Sequence, residues 1–136
     1  MMLTAAIYDV LSGDATLTAL LGTYQGEPAI FTTDPAPGDA ALPYIVTAGE
    51  VVDTPADTKT TRGREVWRDV RCYAPASGSA VTVEAMAERV RALLHRQALE
   101  IDGFEWVYAL CTGPIVADEP DAYGRIVTVQ MRVEEV

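Results

Sequence analysis

The chain has 136 residues, which is the size of one ordinary domain, and 49% of them are hydrophobic, so it can bury a single sizeable core. Its formal net charge of −10 argues against a protein that wraps nucleic acid by neutralising phosphates. Its apolar runs are too short to span a bilayer and its N-terminus lacks the regions of a cleaved signal peptide, so we expect a cytoplasmic protein without a membrane segment.

The first predicted elements are two helical pieces. Apolar residues recur at helical spacing over residues 3–11, stop at residues 12–14 and resume over residues 17–21. Asp14 is expected to cap the second piece, because its carboxylate can accept from the orphan amides of a first helical turn. Gly22 is expected to be the left-handed residue after the last turn.

A loop and a strand follow. Residues 23–42 are rich in Pro, Gly and Asp and predict a surface loop with one short strand at residues 29–31. Residues 44–52 predict a longer strand, and Pro43 marks its entrance because proline has no N–H to give to a ladder. Residues 53–63 are polar without an apolar period, which predicts a long, mobile hairpin loop.

The stretch 64–73 alternates as a strand in which neither face is cleanly apolar. One face carries Val66, Arg68, Val70 and Cys72. The other carries Trp67, Asp69, Arg71 and Tyr73. A strand of this kind can contact partners on both of its faces.

The remaining chain predicts one helix and a C-terminal hairpin. Apolar residues at helical spacing over 83–94 indicate the clearest helix of the chain. Asp102-Gly103 is a hairpin signal, and strands are predicted at 104–111 and 124–133 with an acidic turn between them. This order predicts one α+β domain over residues 1–136, with an antiparallel β-sheet of about four to five strands and two main helices packed on one face.

The sequence contains no motif for catalysis or nucleotide binding. His95 lies near a helix end with no GxSxG nucleophile in the chain, and we interpret it as a polar residue interacting with the C-terminal helix dipole. Cys72 and Cys111 lie in apolar stretches without CxxC spacing and are predicted to be reduced and buried. We therefore expect no enzyme, no cofactor and no metal site.

Three carboxylates in the acidic turn are the remaining candidates for metal ligands. Asp118, Glu119 and Asp121 offer the oxygen ligands that Ca²⁺ or Mg²⁺ prefers. Their spacing does not match an EF-hand loop, so a solvated turn is favoured over a cation site.

Five of the ten basic residues are concentrated on and beside one predicted strand. They are Lys59, Arg62, Arg64, Arg68 and Arg71. Glu65 and Asp69 are interleaved with them, which favours an interface that pairs charges over a groove for phosphates. These five residues are the predicted contact to a neighbouring subunit or to a tube, with plain surface as the alternative.

Five stretches, taken in order along the whole chain, carry a resemblance to a known family. They are "LSGDATLTALLG", "ALPYIVT", "VRCYAP", "AMAERVRALL" and "AYGRIVTVQMRV". Their order and spacing resemble the phage tail-completion family, which includes the tail terminators of long-tailed phages with non-contractile tails, of prophages and of gene transfer agents.

The resemblance implies a structural protein of virion assembly. It implies a hexameric ring that caps the tail tube, ends tube polymerisation and forms the surface that joins the head. The implied partners are further copies of the chain, the tail tube protein and a head-completion or neck protein, and DNA passes through the ring without specific binding. The implied locations are the host bacterial cytoplasm during assembly and then the head-proximal end of the virion tail. The alternatives are a head–tail connector or stopper of the neck, and a small acidic enzyme or ligand-binding domain.

Overall fold

Helices pack on one face of a five-stranded sheet in the computed structural model, which describes the backbone of residues 1–136 and every side chain except those of residues 49–51. The helices are α1 (Leu3–Ser12), α2 (Ala15–Thr18) and α3 (Val81–Leu94). The strands are β1 (Thr23–Tyr24), β2 (Glu27–Pro28), β3 (Ile30–Phe31), β4 (Tyr44–Pro55), β5 (Gly63–Pro75), β6 (Phe104–Val116) and β7 (Ala122–Glu135). Among the described residues, no helix is long and apolar enough to cross a membrane.

The sheet has the strand order β3-β4-β5-β7-β6, and β1 pairs with β2 in a separate small hairpin. The pairs β4–β5, β5–β7 and β6–β7 are antiparallel. The predicted α+β class, with two main helices on one face, is confirmed. The short edge strand β3 departs from the prediction, since it runs parallel to β4 and makes the sheet mixed. The cause is the connection from residue 32 to residue 43, which returns the chain to the starting end of β3 before β4 begins.

Alternating residues of the long strands form the core beneath the helices. The buried side chains on this face of the sheet include Val66, Val70, Cys72, Val127, Val129, Met131 and Val133. The helices cover them with Ile7, Leu11, Leu17, Val83, Met86, Val90 and Leu94. The alternation predicted for β5 is confirmed, and it includes Arg68, which is only 8% exposed on the buried side.

Two of the local signals near the N-terminus are confirmed and one is wrong. The Asp14 carboxylate accepts from the Leu17 N–H at 2.8 Å and caps α2, and Pro43 directly precedes β4. Gly22 does not take the left-handed conformation, because α2 already ends at Thr18. The Gly22 N–H instead donates to the Pro43 carbonyl at 2.9 Å and joins the end of the helical region to the strand entrance.

The polar loop between β4 and β5 is shorter than predicted. The ladder extends to the pair Pro55 and Arg64, which leaves a turn at residues 56–62. Strand pairing uses backbone groups and requires no apolar side chains. The polar composition of residues 53–63 therefore did not show that the two strands extend into this stretch. The turn is itself bonded, since the Asp57 carboxylate accepts from the Gly63 N–H at 3.0 Å.

The segment 23–42 is more than a surface loop, because part of it covers one end of the sheet face opposite the helices. Ala29 and Phe31 are buried there against Val46 and Tyr73. The Phe31 ring also meets the Tyr44 ring edge-on, with a centroid separation of 5.6 Å. This second small core leaves the rest of that face uncovered.

Both edges of the sheet are modified in ways that oppose strand addition. On β6, the outward Ala109 carbonyl accepts from the Arg96 N–H at 2.7 Å, and the Cys111 N–H donates to Nδ1 of His95 at 3.0 Å. Arg91 donates to the Gly113 carbonyl at 2.6 Å. On the other side, β3 pairs only with Ile45 and Val46, so the rest of β4 forms the edge, and β4 carries two register shifts between residues 46 and 52. Occupied edge groups and bulges are both common protections against pairing with another chain.

Candidate assembly surface

On the side of the sheet away from the helices, four adjacent rows of side chains form what we call the open face. The rows follow from the register of β5, β7 and β6. They are Glu65–Arg132–Tyr108, Trp67–Gln130–Leu110, Asp69–Thr128–Thr112 and Arg71–Ile126–Ile115. Because side chains alternate across a strand, these residues lie opposite the core beneath the helices.

Hydrogen bonds between side chains of β5, β7 and β6 hold the polar groups of the open face. Glu65 accepts from the Tyr108 hydroxyl and, at 2.9 Å, from Nε2 of Gln130. These two bonds, that of Tyr108 first, lower the pKa of the Glu65 carboxyl, while the same contact raises the pKa of Tyr108. The Thr128 hydroxyl donates to Asp69 at 2.7 Å. The carboxylates are therefore fixed in position and already satisfied within the chain.

Aliphatic side chains are exposed along β6 beside this polar network. Leu110 is 42% exposed and Ile115 is 59% exposed. Trp67 and Ile126 extend the apolar surface towards the centre of the sheet and are half-buried. A surface that mixes exposed aliphatic groups with ordered polar groups is typical of a protein contact.

The structure does not bring the five predicted interface residues onto one surface. Lys59 and Arg62 are exposed in the turn at residues 56–62. Arg71 lies on the open face, where its Nε is buried and has no hydrogen-bond partner among the described side chains. The interface prediction itself stays a prediction for these residues.

The other two arginines lie on the helix side of β5. Arg64 forms an ion pair with Asp53 at 3.6 Å, and its guanidinium is 5.8 Å from the centre of the Phe104 ring. Arg68 lies beneath α1 and donates to the Thr4 hydroxyl at 2.7 Å. In the isolated chain, Arg68 therefore joins a helix to the sheet and is not accessible to a partner.

The acidic turn is held by the chain's own groups. Asp118 accepts from the Gly124 N–H at 3.0 Å and from the Arg125 guanidinium at 3.2 Å. Within the part of the chain whose side chains are described, no three or more His, Cys, Asp or Glu residues are grouped to hold a metal ion. These contacts favour the solvated-turn interpretation of the turn.

The two thiols are free and buried, as the sequence predicts. Burial raises the pKa of Cys72 to about 12 and the pKa of Cys111 to about 11. A thiolate nucleophile is therefore not available near neutral pH at either position. His95 does not provide a general base for them, because its Nδ1 accepts the Cys111 backbone N–H.

Helix α1 stands between two shallow grooves. A groove of about 570 Å³ separates it from residues 98–102, and one of about 380 Å³ lies on its other side beside Thr32. Met2, Ala5 and Asp9 border both grooves and form what we call the α1 stripe. No sequence signal predicted this stripe as a site, because its residues are distinguished only by lying on the side of α1 that is outside the core.

An uncovered sheet face and a second exposed stripe are features that a structural component of an assembly presents to its neighbours. The chain belongs to the tail completion protein gp17 family, whose sequence profile matches residues 5–134, so the resemblance seen in the sequence is confirmed.

A solved structure is also similar to the chain. The chain is similar to one described as "Virion of native gene transfer agent (GTA) particle", with 26% sequence identity and a TM-score of 0.81. The alignment covers 97% of this chain and 94% of that chain. No curated protein sequence matches.

Proposed function

We propose that the chain caps the finished tail tube as a hexameric ring, ends tube polymerisation and presents the surface that joins the head. The observation that carries this proposal is the near-complete match to a chain of a gene transfer agent virion, within a family of tail completion proteins. The role is structural, and no reaction is part of it.

The geometry of the sheet supports a closed ring over a filament built by strand addition. Backbone groups in the middle of β6 are hydrogen-bonded to the end of α3, and the pairing register of β4 is irregular. Neither edge of the sheet therefore favours the addition of another strand. The open face and the α1 stripe are two different surfaces of one subunit. Contacts between two different surfaces generate a ring when the rotation closes.

The proposed partners are the tail tube protein on one side of the ring and a head-completion or neck protein on the other. Lys59 and Arg62 are exposed on the turn at residues 56–62 and are proposed to contact a tube or a neighbouring subunit. The net charge of −10 supports passage of DNA without specific binding. Assembly would take place in the host cytoplasm, and the finished ring would occupy the head-proximal end of the tail.

The test is the mass in solution by light scattering, measured for the chain alone and after mixing with the tail tube protein. We expect a sixfold mass, or a monomer that forms caps on tube ends visible by electron microscopy. The variant Lys59→Glu with Arg62→Glu is expected to weaken capping, and Asp121→Arg is the control at a distant exposed carboxylate. A chain that stays monomeric and ignores tube ends would refute the proposal, and binding to portal complexes instead would identify a connector.

A further inference from the structure

We propose that the open face of each subunit is covered by the α1 stripe of a second copy, with Asp9 of that copy paired to Arg71. The inference rests on the proposed ring and names the two surfaces that build it. Helix on sheet is one of the standard ways in which secondary structures form layers, and the open face lacks such a layer within the chain.

The charge of the open face favours a second copy as the occupant. The chain carries a net charge of −10, so most approaches of two copies are repulsive. Within the four rows of the open face, Glu65 and Asp69 are balanced by Arg71 and Arg132, while the next row beyond Glu65 carries the carboxylates of Glu134 and Glu105. The Arg71 end of the open face, which is the end away from these two carboxylates, is therefore where a second copy meets the least repulsion.

Among the charged groups of the open face, Arg71 is the one without a hydrogen bond or ion pair to another described side chain. Glu65 and Asp69 are hydrogen-bonded within the face, and Arg132 donates to the Ala56 carbonyl at 2.9 Å. The Nε of Arg71 is buried without a hydrogen-bond partner among the described side chains. A half-buried guanidinium of this kind gains from a carboxylate supplied by a neighbour.

The α1 stripe supplies a carboxylate beside apolar groups. Met2 is 65% exposed, and Asp9 is exposed with no hydrogen bond or ion pair from its carboxylate among the described side chains. The stripe lies between the two grooves, so α1 stands as a ridge that can contact a flat sheet. Methionine adapts its shape readily to such a contact.

The spacing on the two surfaces agrees. Met2 and Asp9 are seven residues apart, which is about 10.5 Å along a helix. Ile115 and Arg71 are separated by two strand spacings through Ile126, or about 9.6 Å. Asp9 can therefore reach Arg71 while Met2 rests on the exposed Ile115.

Charge reversal in ring assembly tests the pair. Arg71→Glu and Asp9→Arg should each lower the ring population about tenfold or more, because each variant places like charges together. The double variant restores opposite charges at every contact and should return the ring to near the wild-type level. Asp121→Arg is the matched control outside the proposed contact and should leave the ring population unchanged.

The readouts are the mass of the chain by light scattering, with and without tail tubes, and the thermal midpoint of each variant to confirm folding. A wild-type chain that forms no ring under either condition would overturn the inference together with the proposed function. A wild-type ring that survives both single reversals would overturn the inference alone. Loss of the ring in both single variants without recovery in the double variant would overturn the pairing of Asp9 with Arg71. If a charge reversal prevents folding, the milder variants Arg71→Gln and Asp9→Asn provide the same comparison. A ring population equal to that of the wild type in both milder variants would overturn the pairing.

Discussion

The contact between Asp14 and Arg89 offers the most direct test of how the helices are held together. One carboxylate oxygen accepts from the Leu17 N–H and from Nε of Arg89, both at 2.8 Å, and the other accepts from Nη2 of Arg89 at 2.7 Å. Asp14 therefore caps α2 and also joins it to α3. We expect Asp14→Ala to remove both functions and Asp14→Asn to keep the cap, since asparagine is an equally good capping residue.

The structure sets the expected magnitudes. The contact with Arg89, together with the Leu17 amide, lowers the pKa of Asp14 from 3.8 to about 2. A shift of that size corresponds to about 2.4 kcal/mol at full strength. The Asp14 side chain is 14% exposed and that of Arg89 is 36% exposed, so solvent screening reduces the contribution. We expect losses of about 2 kcal/mol for Asp14→Ala and about 1 kcal/mol for Asp14→Asn.

Urea denaturation across a pH series measures the stability losses of Asp14→Ala and Asp14→Asn. Because the folded pKa of Asp14 lies below the unfolded value, its contribution is present above about pH 4 and is lost as the pH falls towards 2. The stability difference between the wild type and Asp14→Asn should shrink over that window, and Arg89→Met should match Asp14→Asn at neutral pH. Equal stability of Asp14→Asn and the wild type at neutral pH, or a difference that does not change down to pH 2, would refute this reasoning.

Three further predictions concern the sheet. The Cys72 thiol should react with an aromatic disulfide reagent only at the rate of unfolding, because burial raises its pKa to about 12; rapid labelling of the native protein would contradict this. Gly124→Ala should destabilise the protein by more than about 2 kcal/mol in urea denaturation, because a Cβ there would lie 2.2 Å from the Ala117 carbonyl oxygen. An unchanged denaturation midpoint would show that the turn that contains Ala117 can move away. Tyr108→Phe should raise the pKa of Glu65 towards its ordinary value in a carboxyl-detected NMR titration, because the tyrosine hydroxyl bond is the main cause of its depression; an unmoved titration would assign that cause elsewhere.

Much of the fold could be predicted because its signals are local. The Asp14 cap, the helix at 81–94 and the buried alternation of β7 each depend on residues a few positions apart. The parallel pairing of β3 could not be predicted, because it depends on where a loop of irregular sequence returns.

The candidate surface was predicted less well than the fold. The arginines of β5 were grouped by proximity in sequence, yet alternation already placed Arg68 on the face of Val66 and Val70, where it is buried. The bonds from Tyr108 and Gln130 to Glu65 depend on the register of three strands, which no single segment specifies. Side-chain contacts across a sheet depend on which strands pair and in which register, and the sequence of a single strand does not specify either.

The bonds from the end of α3 to β6 affect how the native protein opens. An amide on an outer strand usually exchanges its hydrogen quickly, but the Cys111 amide is held by His95 and should exchange slowly. Since Arg91 and Arg96 hold the neighbouring carbonyls, the strand cannot peel away without releasing the helix end. The last turn of α3 and the middle of β6 should therefore open as one cooperative unit, and the outer strand should be among the late regions of the domain to exchange with solvent.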